Sequence, residues 1–240
     1  MECTSISSSA FRKVKGHTWW GIQWAQKRSD PIDYMQGKDL WLNGQGKVGV
    51  LYEPSYENLA TKSFGSRMMA WLAYLNGMYG YGYGAQDMWF YHCRFRMDDD
   101  RFDGVDTVTV EDKKIHWSKM IHNDTSIQLG KYMRQFMEEN EWWKLIPRFD
   151  NPSYFLPEKE GFYSIATDER DTIVVQFFNI GYETGTLNWL EHCEYTYQWY
   201  NPRTGEYSEK RSFWPDKFRM YRVENKPDKW DWILLVKKAR

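Results

Sequence analysis

Cysteine and histidine, the residues that most often mark redox or metal chemistry, are few in this sequence. The three cysteines, Cys3, Cys93 and Cys193, lie far apart along the 240 residues, a spacing that suits neither a zinc site nor a disulfide framework. The five histidines form no H-E-x-x-H or H-x-H pattern of the kind that holds a catalytic metal. The sequence therefore predicts no metal and no other cofactor.

Long hydrophobic runs and an excess of one charge are also missing. The longest apolar stretches, such as DTIVVQFF (171–178) and DWILLV (231–236), are far too short to span a bilayer, and the N-terminal segment lacks the apolar middle of a signal peptide. The 32 basic and 33 acidic residues give a net charge of -1, with no basic stripe that would neutralise phosphates. Neither a membrane nor a nucleic acid is an expected partner.

Signatures of a serine nucleophile and of nucleotide binding are absent too. The serine-rich SISSS (5–9) has no G-x-S-x-G elbow. The stretch YGYGYGAQDMW (79–89) lacks the Lys-Ser/Thr of a P-loop and does not match G-x-G-x-x-G followed by a helix. Its glycines alternate with Tyr79, Tyr81 and Tyr83, which should therefore share one face, either as a ligand site or simply as a tightly packed strand. Paired carboxylates remain as the available chemistry.

Aromatic residues, in contrast, are abundant. The chain has 14 Trp, 17 Tyr and 13 Phe, more than a core of this size normally needs, so rings are available for a surface cleft. Flat rings bind sugars well, because they cover the C–H faces of the sugar while its hydroxyls stay hydrated. The composition therefore favours carbohydrate as a ligand.

The pattern of strands and helices changes near residue 150, which predicts two domains, residues 1–150 and 151–240. The first part alternates apolar strand-like runs with helical spacing from Ser63 onward. A long helix follows, with Thr125 and Gln128 as a predicted capping box, and prolines such as Pro147 are expected to stop it and start a linker.

The last third of the sequence consists of short runs of aromatic and β-branched residues separated by turn residues. This pattern is typical of a small antiparallel β-sandwich. The runs that predict its strands are GFYSIAT (161–167), TIVVQFF (172–178), YTYQWY (195–200) and DWILLV (231–236).

Glu53 is the strongest candidate for a catalytic residue. It ends an apolar run and is followed by Pro54, which turns the chain, and by Tyr56 and Glu57. In α/β barrels the C-terminal ends of the strands carry the catalytic side chains, because the loops there converge on one mouth. A structural alternative stays open, in which Glu53 pairs with an arginine such as Arg67 or caps the next helix. Glu57 is expected to support Glu53 rather than to react.

Four segments in chain order carry a family resemblance: LYEPSYEN (51–58), AWLAYLNGMYGYGYGAQDMWFY (70–91), SIQLGKYMRQFMEENEWWKLIPR (126–148) and YQWYNPRTGEY (197–207). Together they resemble the apiosidase-like (β/α)8 glycoside hydrolases, glycoside hydrolase family 140 and its relatives, whose barrel is followed by a small β-domain. The likeness runs over most of residues 17–240 and rests on the ordered set of segments rather than on any single motif.

The resemblance implies a fold of the class α/β plus all-β, with a partial (β/α)8 TIM barrel followed by a small antiparallel β-sandwich. Residues 17–24, 47–53 and 79–84 would be strands six, seven and eight of the barrel. Glu53 then takes the place of the nucleophile, which attacks the anomeric carbon while an acid protonates the leaving oxygen. The residues implied to bind the sugar are Gln23, Trp24, Tyr56, Glu57, Tyr83, Gln86 and Trp89.

The chain departs from the family in length. A complete barrel takes roughly 250 residues, whereas about 150 precede the predicted domain boundary, enough for three strands and their helices. The family carries its acid/base on an earlier strand, so Asp87 or Glu57 would have to replace it. We therefore expect a fragment of a longer hydrolase that self-associates or pairs with a complementary barrel fragment. Family analogy indicates a secreted or periplasmic bacterial enzyme.

Two functions follow from these observations. The first is a glycoside hydrolase, or part of one, that cleaves glycosidic bonds in a plant-type polysaccharide such as pectin. The second is a non-catalytic carbohydrate-binding or interaction protein derived from such an enzyme.

Overall fold

The computed structural model describes residues 16, 18–23, 35–44, 46–54, 56–57, 63–85, 88, 124–159 and 163–239. These residues form a mixed α/β structure with few helices, in which most strands belong to antiparallel sheets. Four candidate site residues lie outside the described residues: Trp24, Gln86, Asp87 and Trp89.

The N-terminal part contains a three-stranded parallel sheet with the strand order β1-β2-β3. Its elements, in chain order, are β1 (Trp19–Gln23), α1 (Met35–Asn43), β2 (Val48–Glu53), α2 (Ser63–Leu75) and β3 (Gly80–Tyr81). The strands predicted within 17–24, 47–53 and 79–84 are confirmed, although β3 is shorter than expected.

One face of this sheet packs on the helices. Alternate residues of the strands, Trp20 and Ile22 of β1 and Leu51 of β2, are fully buried and form a core with Leu40 of α1 and Leu72 of α2. The residues between them point to the opposite face, because successive side chains of a strand alternate in direction. On that face Trp19 and Val48 are exposed. The sheet therefore has a helix-packed face and an open face.

Gly82 continues β3 beyond its last paired residue and lies very close to β2. A Cβ atom added to Gly82 would stand 2.3 Å from the carbonyl oxygen of Tyr52, and backbone atoms cannot move aside easily. We expect Gly82→Ala to lower the free energy of unfolding by about 1–3 kcal/mol, as overpacked sites do. Chemical denaturation monitored by tryptophan fluorescence measures this loss.

Gly130 offers a matched control, because no atom lies within 4 Å of the Cβ that an alanine would add there. Gly130→Ala should leave the stability unchanged or raise it by about 0.5–1 kcal/mol, since alanine favours helix more than glycine does. Equal effects of the two substitutions would contradict the close packing of β3 on β2.

A long helix follows and is confirmed. It consists of three consecutive segments, α3 (Asp124–Ile127), a π-helical stretch (Gln128–Met133) and α4 (Arg134–Glu139). Met133, Phe136 and Met137 are buried, as the helical spacing of apolar residues predicts. None of the helices in the described residues is long and apolar enough to cross a membrane.

The predicted capping box at the start of this helix is wrong. Thr125 lies inside α3 rather than before it, and its hydroxyl donates a hydrogen bond to Glu57 Oε1 over 3.0 Å. Gln128 accepts a hydrogen bond from Arg67 over 2.7 Å. Both side chains therefore bind residues far away in the sequence and do not cap the helix.

The C-terminal part consists of two antiparallel sheets that share one core. The strands are β4 (Ile146–Pro147), β5 (Phe155–Pro157), β6 (Tyr163–Asp168), β7 (Thr172–Phe177), β8 (Gly185–Leu187), β9 (Tyr195–Asn201), β10 (Glu206–Tyr207), β11 (Arg211–Phe213), β12 (Tyr221–Arg222) and β13 (Trp232–Lys238). The larger sheet has the strand order β10-β9-β13-β7-β6-β4, with β11 also paired to β9, and the smaller has the order β12-β8-β5. Phe155 and Leu187 of the smaller sheet pack on Ile165, Val175 and Leu234 of the larger one.

The prediction that a linker starts at Pro147 is wrong. Ile146 and Pro147 form β4, which pairs with Thr167 and Ala166 at the edge of the larger sheet. An edge strand tolerates proline, because one side of such a strand needs no backbone donor. The helix itself ends earlier, at Glu139, and the 3₁₀ turn Trp142–Lys144 follows it.

Helices and sheets share a second core across the predicted domain boundary. The rings of Trp71 from α2, Phe136 from α4 and Tyr200 from β9 meet with centroids 4.7 to 6.0 Å apart. Val174 and Ile233 of the larger sheet pack on the same cluster. The division into residues 1–150 and 151–240 stays a prediction, but the two parts are in extensive contact.

Candidate functional site

Glu53 is the last residue of β2, at the C-terminal edge of the parallel sheet. Its side chain is partly exposed, and Oε1 accepts a hydrogen bond from the Tyr56 hydroxyl over 3.1 Å. The other carboxylate oxygen, Oε2, has no hydrogen-bond partner among the described residues. One carboxylate oxygen of Glu53 is therefore hydrogen-bonded, and the other is available to react.

A β-bulge determines the face on which Glu53 emerges. In the pairing of β1 with β2, Ile22 lies opposite Leu51 and the next residue, Gln23, lies opposite Glu53, so that Tyr52 has no partner of its own. One extra residue shifts the alternation of side chains, and bulges next to active sites re-aim a side chain in this way. Leu51 points to the helices, and we infer from this shift in register that Glu53 lies on the open face.

The surroundings of Tyr56 agree with this direction. A Cβ on Gly80 would meet the Val50 side chain at 3.1 Å, so the glycines of this segment lie on the same face as Val50. A Cβ on Gly84 would meet the Tyr56 ring at 2.5 Å. The Tyr56 ring, and with it the carboxylate of Glu53, therefore lies on the open face.

Tyr56 is held in the protonated form. Partial burial, and after it the hydrogen bond to Glu53 and the charge of that residue, raise the pKa of the Tyr56 hydroxyl. A hydroxyl that keeps its proton donates a hydrogen bond to the carboxylate and fixes its orientation. Tyr56 is thus a positioning residue for Glu53.

Glu57 occupies a different environment from Glu53. It is only 4% exposed, and its carboxylate accepts hydrogen bonds from Tyr83 over 2.5 Å and from Thr125 over 3.0 Å. Its backbone N–H donates to the Gly84 carbonyl over 2.9 Å. Glu57 ties the loop after β2 to the end of β3 and to α3, and this bracing role suits a carboxylate that supports the site.

The tyrosines of the β3 segment share one side, as predicted, and that side faces the helices. Tyr81 and Tyr83 line a cavity of about 550 Å3 together with Tyr74 and Trp142, and the Tyr79 ring contacts Trp142 with centroids 5.6 Å apart. Burial raises the pKa of Tyr81 strongly, and its hydroxyl donates to the Ser66 carbonyl. No local pattern of residues predicts this cavity, because the helix that closes it is distant in the chain.

Two of the remaining predicted sugar-binding residues, Gln23 and Tyr83, lie within the described residues. Gln23 lies opposite Glu53 in the strand register. Tyr83 donates its hydroxyl to Glu57 and lies on the helix side of the segment. The roles proposed for Gln23, Tyr83, Trp24, Gln86 and Trp89 stay predictions.

Arg67, the predicted alternative partner of Glu53, forms a buried ion pair with Asp231. Its guanidinium donates two hydrogen bonds of 2.7 Å to the two oxygens of Asp231 and a third of 2.7 Å to Gln128. The side chains of the pair are 5% and 1% exposed. Arg67 therefore connects α2, which follows the Glu53 loop, to the strand β13 and to the long helix.

The described residues contain no group of three or more His, Cys, Asp or Glu side chains arranged to hold a metal ion.

The fold is similar to that of solved glycoside hydrolases. One structure, titled a glycoside hydrolase, matches with a TM-score of 0.75 at 14% identity over 98% of this chain and 55% of its own. A glycoside hydrolase family 5 structure from Bacteroides vulgatus ATCC 8482 matches with a TM-score of 0.75 at 15% identity over 97% of this chain and 52% of its own. The chain thus spans about half the length of each. Identities this low show similarity of fold alone.

The C-terminal sheets match a family by sequence. Residues 157–237 fit the profile described as "Putative collagen-binding domain of a collagenase". No curated protein matches the chain.

Proposed function

We propose that the chain is a glycoside hydrolase, or the C-terminal portion of one, that acts on a plant-type polysaccharide such as pectin through Glu53. One observation carries the proposal: Glu53 ends a parallel strand, a bulge turns it to the open face, and Tyr56 holds one of its oxygens. The ends of such strands are where α/β barrels keep their catalytic groups. Similarity to the fold of two glycoside hydrolases supports the same class.

The proposed reaction uses the available oxygen of Glu53 as the nucleophile. Oε2 attacks the anomeric carbon, and the bond to the leaving oxygen breaks as an acid about 5 Å away supplies its proton. Water then cleaves the glycosyl ester and gives a proton to the group that acted as the acid, which releases the sugar and restores both groups. Tyr56, which keeps its proton, holds Glu53 in position throughout.

The partial barrel belongs to the same proposal. We take β1, β2 and β3 as strands six, seven and eight of an apiosidase-like (β/α)8 barrel and residues 151–240 as its accessory β-domain. The open face, on which Trp19 and Val48 are exposed, then corresponds to the interior of the barrel. A second copy or a complementary barrel fragment is the partner that would cover it.

The acid that protonates the leaving oxygen is a group other than Glu57 in this proposal. Glu57 is poorly suited to the role, because it is buried and both of its oxygens accept hydrogen bonds. Asp87 or a carboxylate from the complementary fragment is the proposed source of the proton.

The second candidate function is non-catalytic carbohydrate binding. It is favoured by the profile that residues 157–237 match, which is described as "Putative collagen-binding domain of a collagenase". In this alternative the aromatic side chains bind glycan and no bond is cleaved.

Hydrolysis of dinitrophenyl glycosides separates the two functions. Their leaving group departs without a proton, so a chain that has the nucleophile but lacks the acid should still release dinitrophenol. We expect turnover on at least one member of a panel of such glycosides, and slower or no turnover of pectic oligosaccharides. Binding of the oligosaccharides without release of dinitrophenol from any glycoside would instead support the non-catalytic function.

A further inference from the structure

The loop between β8 and β9 presents a tryptophan in a strained conformation. Trp189 has φ of 53° and its side chain is 56% exposed. The left-handed region suits glycine or asparagine, and a bulky residue there is a genuine outlier. Exposure of a large ring to water is unfavourable as well. Neither the backbone nor the burial of this position explains why a tryptophan occupies it.

The surrounding structure imposes this conformation completely. All six backbone N–H and C=O groups of Asn188, Trp189 and Leu190 have hydrogen-bond partners, and Leu190 is fully buried. Strain of this kind persists only where the neighbours over-determine it, and it is concentrated at ligand-binding sites. The six backbone groups of residues 188–190 bond to the Tyr154 carbonyl, Arg170, the Asn188 side chain, the Arg219 side chain and the backbone carbonyl of Arg219.

A second loop, between β11 and β12, is fastened to the first. Arg219, which has φ of 66°, donates its Nε to the Leu190 carbonyl over 2.6 Å. The preceding residue, Phe218, is 68% exposed. Asp216 Oδ1 accepts from the N–H groups of Phe218 and Met220 over 2.8 and 2.9 Å. Two cross-linked and ordered loops therefore each present an aromatic ring to solvent.

The two rings are not covered by other aromatic side chains. Among residues 163–239, no ring packs against Trp189 or Phe218, and only the Lys217 ammonium lies over the Phe218 ring, 5.0 Å from its centroid. A flat ring with one free face is what a sugar needs, since the C–H face of a pyranose stacks on it.

We propose that Trp189 and Phe218 form a polysaccharide-binding platform that is separate from the Glu53 site. The choice of a carbohydrate rests on the proposed function. A collagen-like peptide is the competing ligand, because of the family that residues 157–237 match. Polyproline-type helices dock into grooves lined by neighbouring aromatic rings, whereas neither Trp189 nor Phe218 is in contact with another ring of the described residues. The geometry therefore favours stacking of individual sugar units.

The platform lies far from the contact between the sheets and α2. β13 begins next to Asp231, the partner of Arg67, and ends at Lys238, whose N–H donates to the Asp171 carbonyl. Arg170, adjacent to Asp171, holds the Trp189 loop. The length of β13 therefore separates the two regions, roughly 20 Å for a strand of this size. The platform would hold a polymer while another part of it reaches Glu53.

The test measures binding of the full chain in the Glu53→Gln background, so that no turnover is required. Affinity electrophoresis in gels that contain polygalacturonate, arabinogalactan, mixed-linkage β-glucan or gelatin gives the dissociation constants. We expect binding to at least one polysaccharide and an affinity about tenfold or more weaker for Trp189→Gly, which corresponds to loss of one stacked sugar. Phe218→Ala should weaken the same binding, whereas Trp143→Ala, which removes a tryptophan 58% exposed elsewhere, should not.

Thermal melting separates loss of a ligand contact from loss of structure. Glycine suits φ of 53°, so Trp189→Gly should keep or raise the melting temperature while it abolishes the platform. Three results would each overturn the proposal: unchanged polysaccharide binding in Trp189→Gly, binding to gelatin alone, or binding to none of the polysaccharides.

Hydrolysis of dinitrophenyl glycosides tests the proposed function independently, because these substrates are too small to reach from Glu53 to the platform. Their hydrolysis should therefore be equal in Trp189→Gly and the wild type.

Discussion

Replacement of Glu53 by glutamine should lower the rate of dinitrophenyl glycoside hydrolysis by ~1,000-fold or more, the scale on which removal of a nucleophile acts. Glutamine keeps the size of the side chain and still accepts the Tyr56 hydrogen bond, but its amide cannot form the glycosyl ester. We therefore expect the folded structure and the binding of oligosaccharides to be retained. Steady-state kinetics measure the hydrolysis rate, and circular dichroism of the same samples checks that the fold is retained.

Two neighbouring substitutions serve as controls for the Glu53 result. Tyr56→Phe removes the hydroxyl that orients Glu53, and a lost orienting hydrogen bond should cost roughly tenfold in rate. Glu57→Gln changes a buried bracing carboxylate, so its main effect should be on stability. A Glu53→Gln variant that retains more activity than Tyr56→Phe would contradict the assignment of the nucleophile.

Removal of either partner of the Arg67–Asp231 pair should destabilise the fold by about 3–5 kcal/mol, because the other charge stays buried and loses its ion-pair partner. Both side chains are almost inaccessible to water, and they are joined by two hydrogen bonds of 2.7 Å. Arg67→Ala and Asp231→Ala are the test variants, with the free energy of unfolding measured by urea denaturation of the full chain.

Two further variants serve as comparisons for the loss of stability in Arg67→Ala and Asp231→Ala. Arg134→Ala breaks an exposed pair, Arg134–Glu138, whose side chains are 72% and 56% exposed, and should change the stability little, because water and salt screen exposed pairs. The double variant Arg67→Met with Asp231→Leu removes both charges and should recover much of the lost stability. Equal destabilisation by Arg67→Ala and Arg134→Ala would contradict a central role of the pair between α2 and β13.

The elements with strong periodic patterns could be predicted from the sequence. The strands that contain Leu51 and Val174 and the helix that contains Phe136 are confirmed, because apolar residues at a spacing of two or of 3.6 reflect burial directly. The position of Glu53 at the end of β2 follows from the same pattern.

Features that depend on distant partners could not be predicted. The bulge at Tyr52 exists only in the pairing of β2 with β1, and no local sequence signal marks it. Thr125 and Gln128 have the spacing of a capping box, but contacts with Glu57 and Arg67 use these side chains instead. Pro147 breaks helices locally, yet the edge of a sheet accepts it as a strand residue.

The platform at Trp189 was missed for a related reason. A tryptophan in a loop usually signals only a partly buried ring, since exposed apolar residues are common on surfaces. Its unusual backbone angle, and the hydrogen bonds that enforce this angle, arise from Arg170 and Arg219 in other loops. Only the folded chain brings these residues together.

Covalent trapping tests the role of Glu53 most directly. A 2-deoxy-2-fluoro dinitrophenyl glycoside forms the glycosyl ester with a retaining nucleophile but releases it slowly, so the intermediate accumulates. Intact-protein mass spectrometry should show one added fluorosugar on the wild type and none on Glu53→Gln, and peptide mapping should locate the label on Glu53. A label on another carboxylate, or equal labelling of the two proteins, would contradict the account.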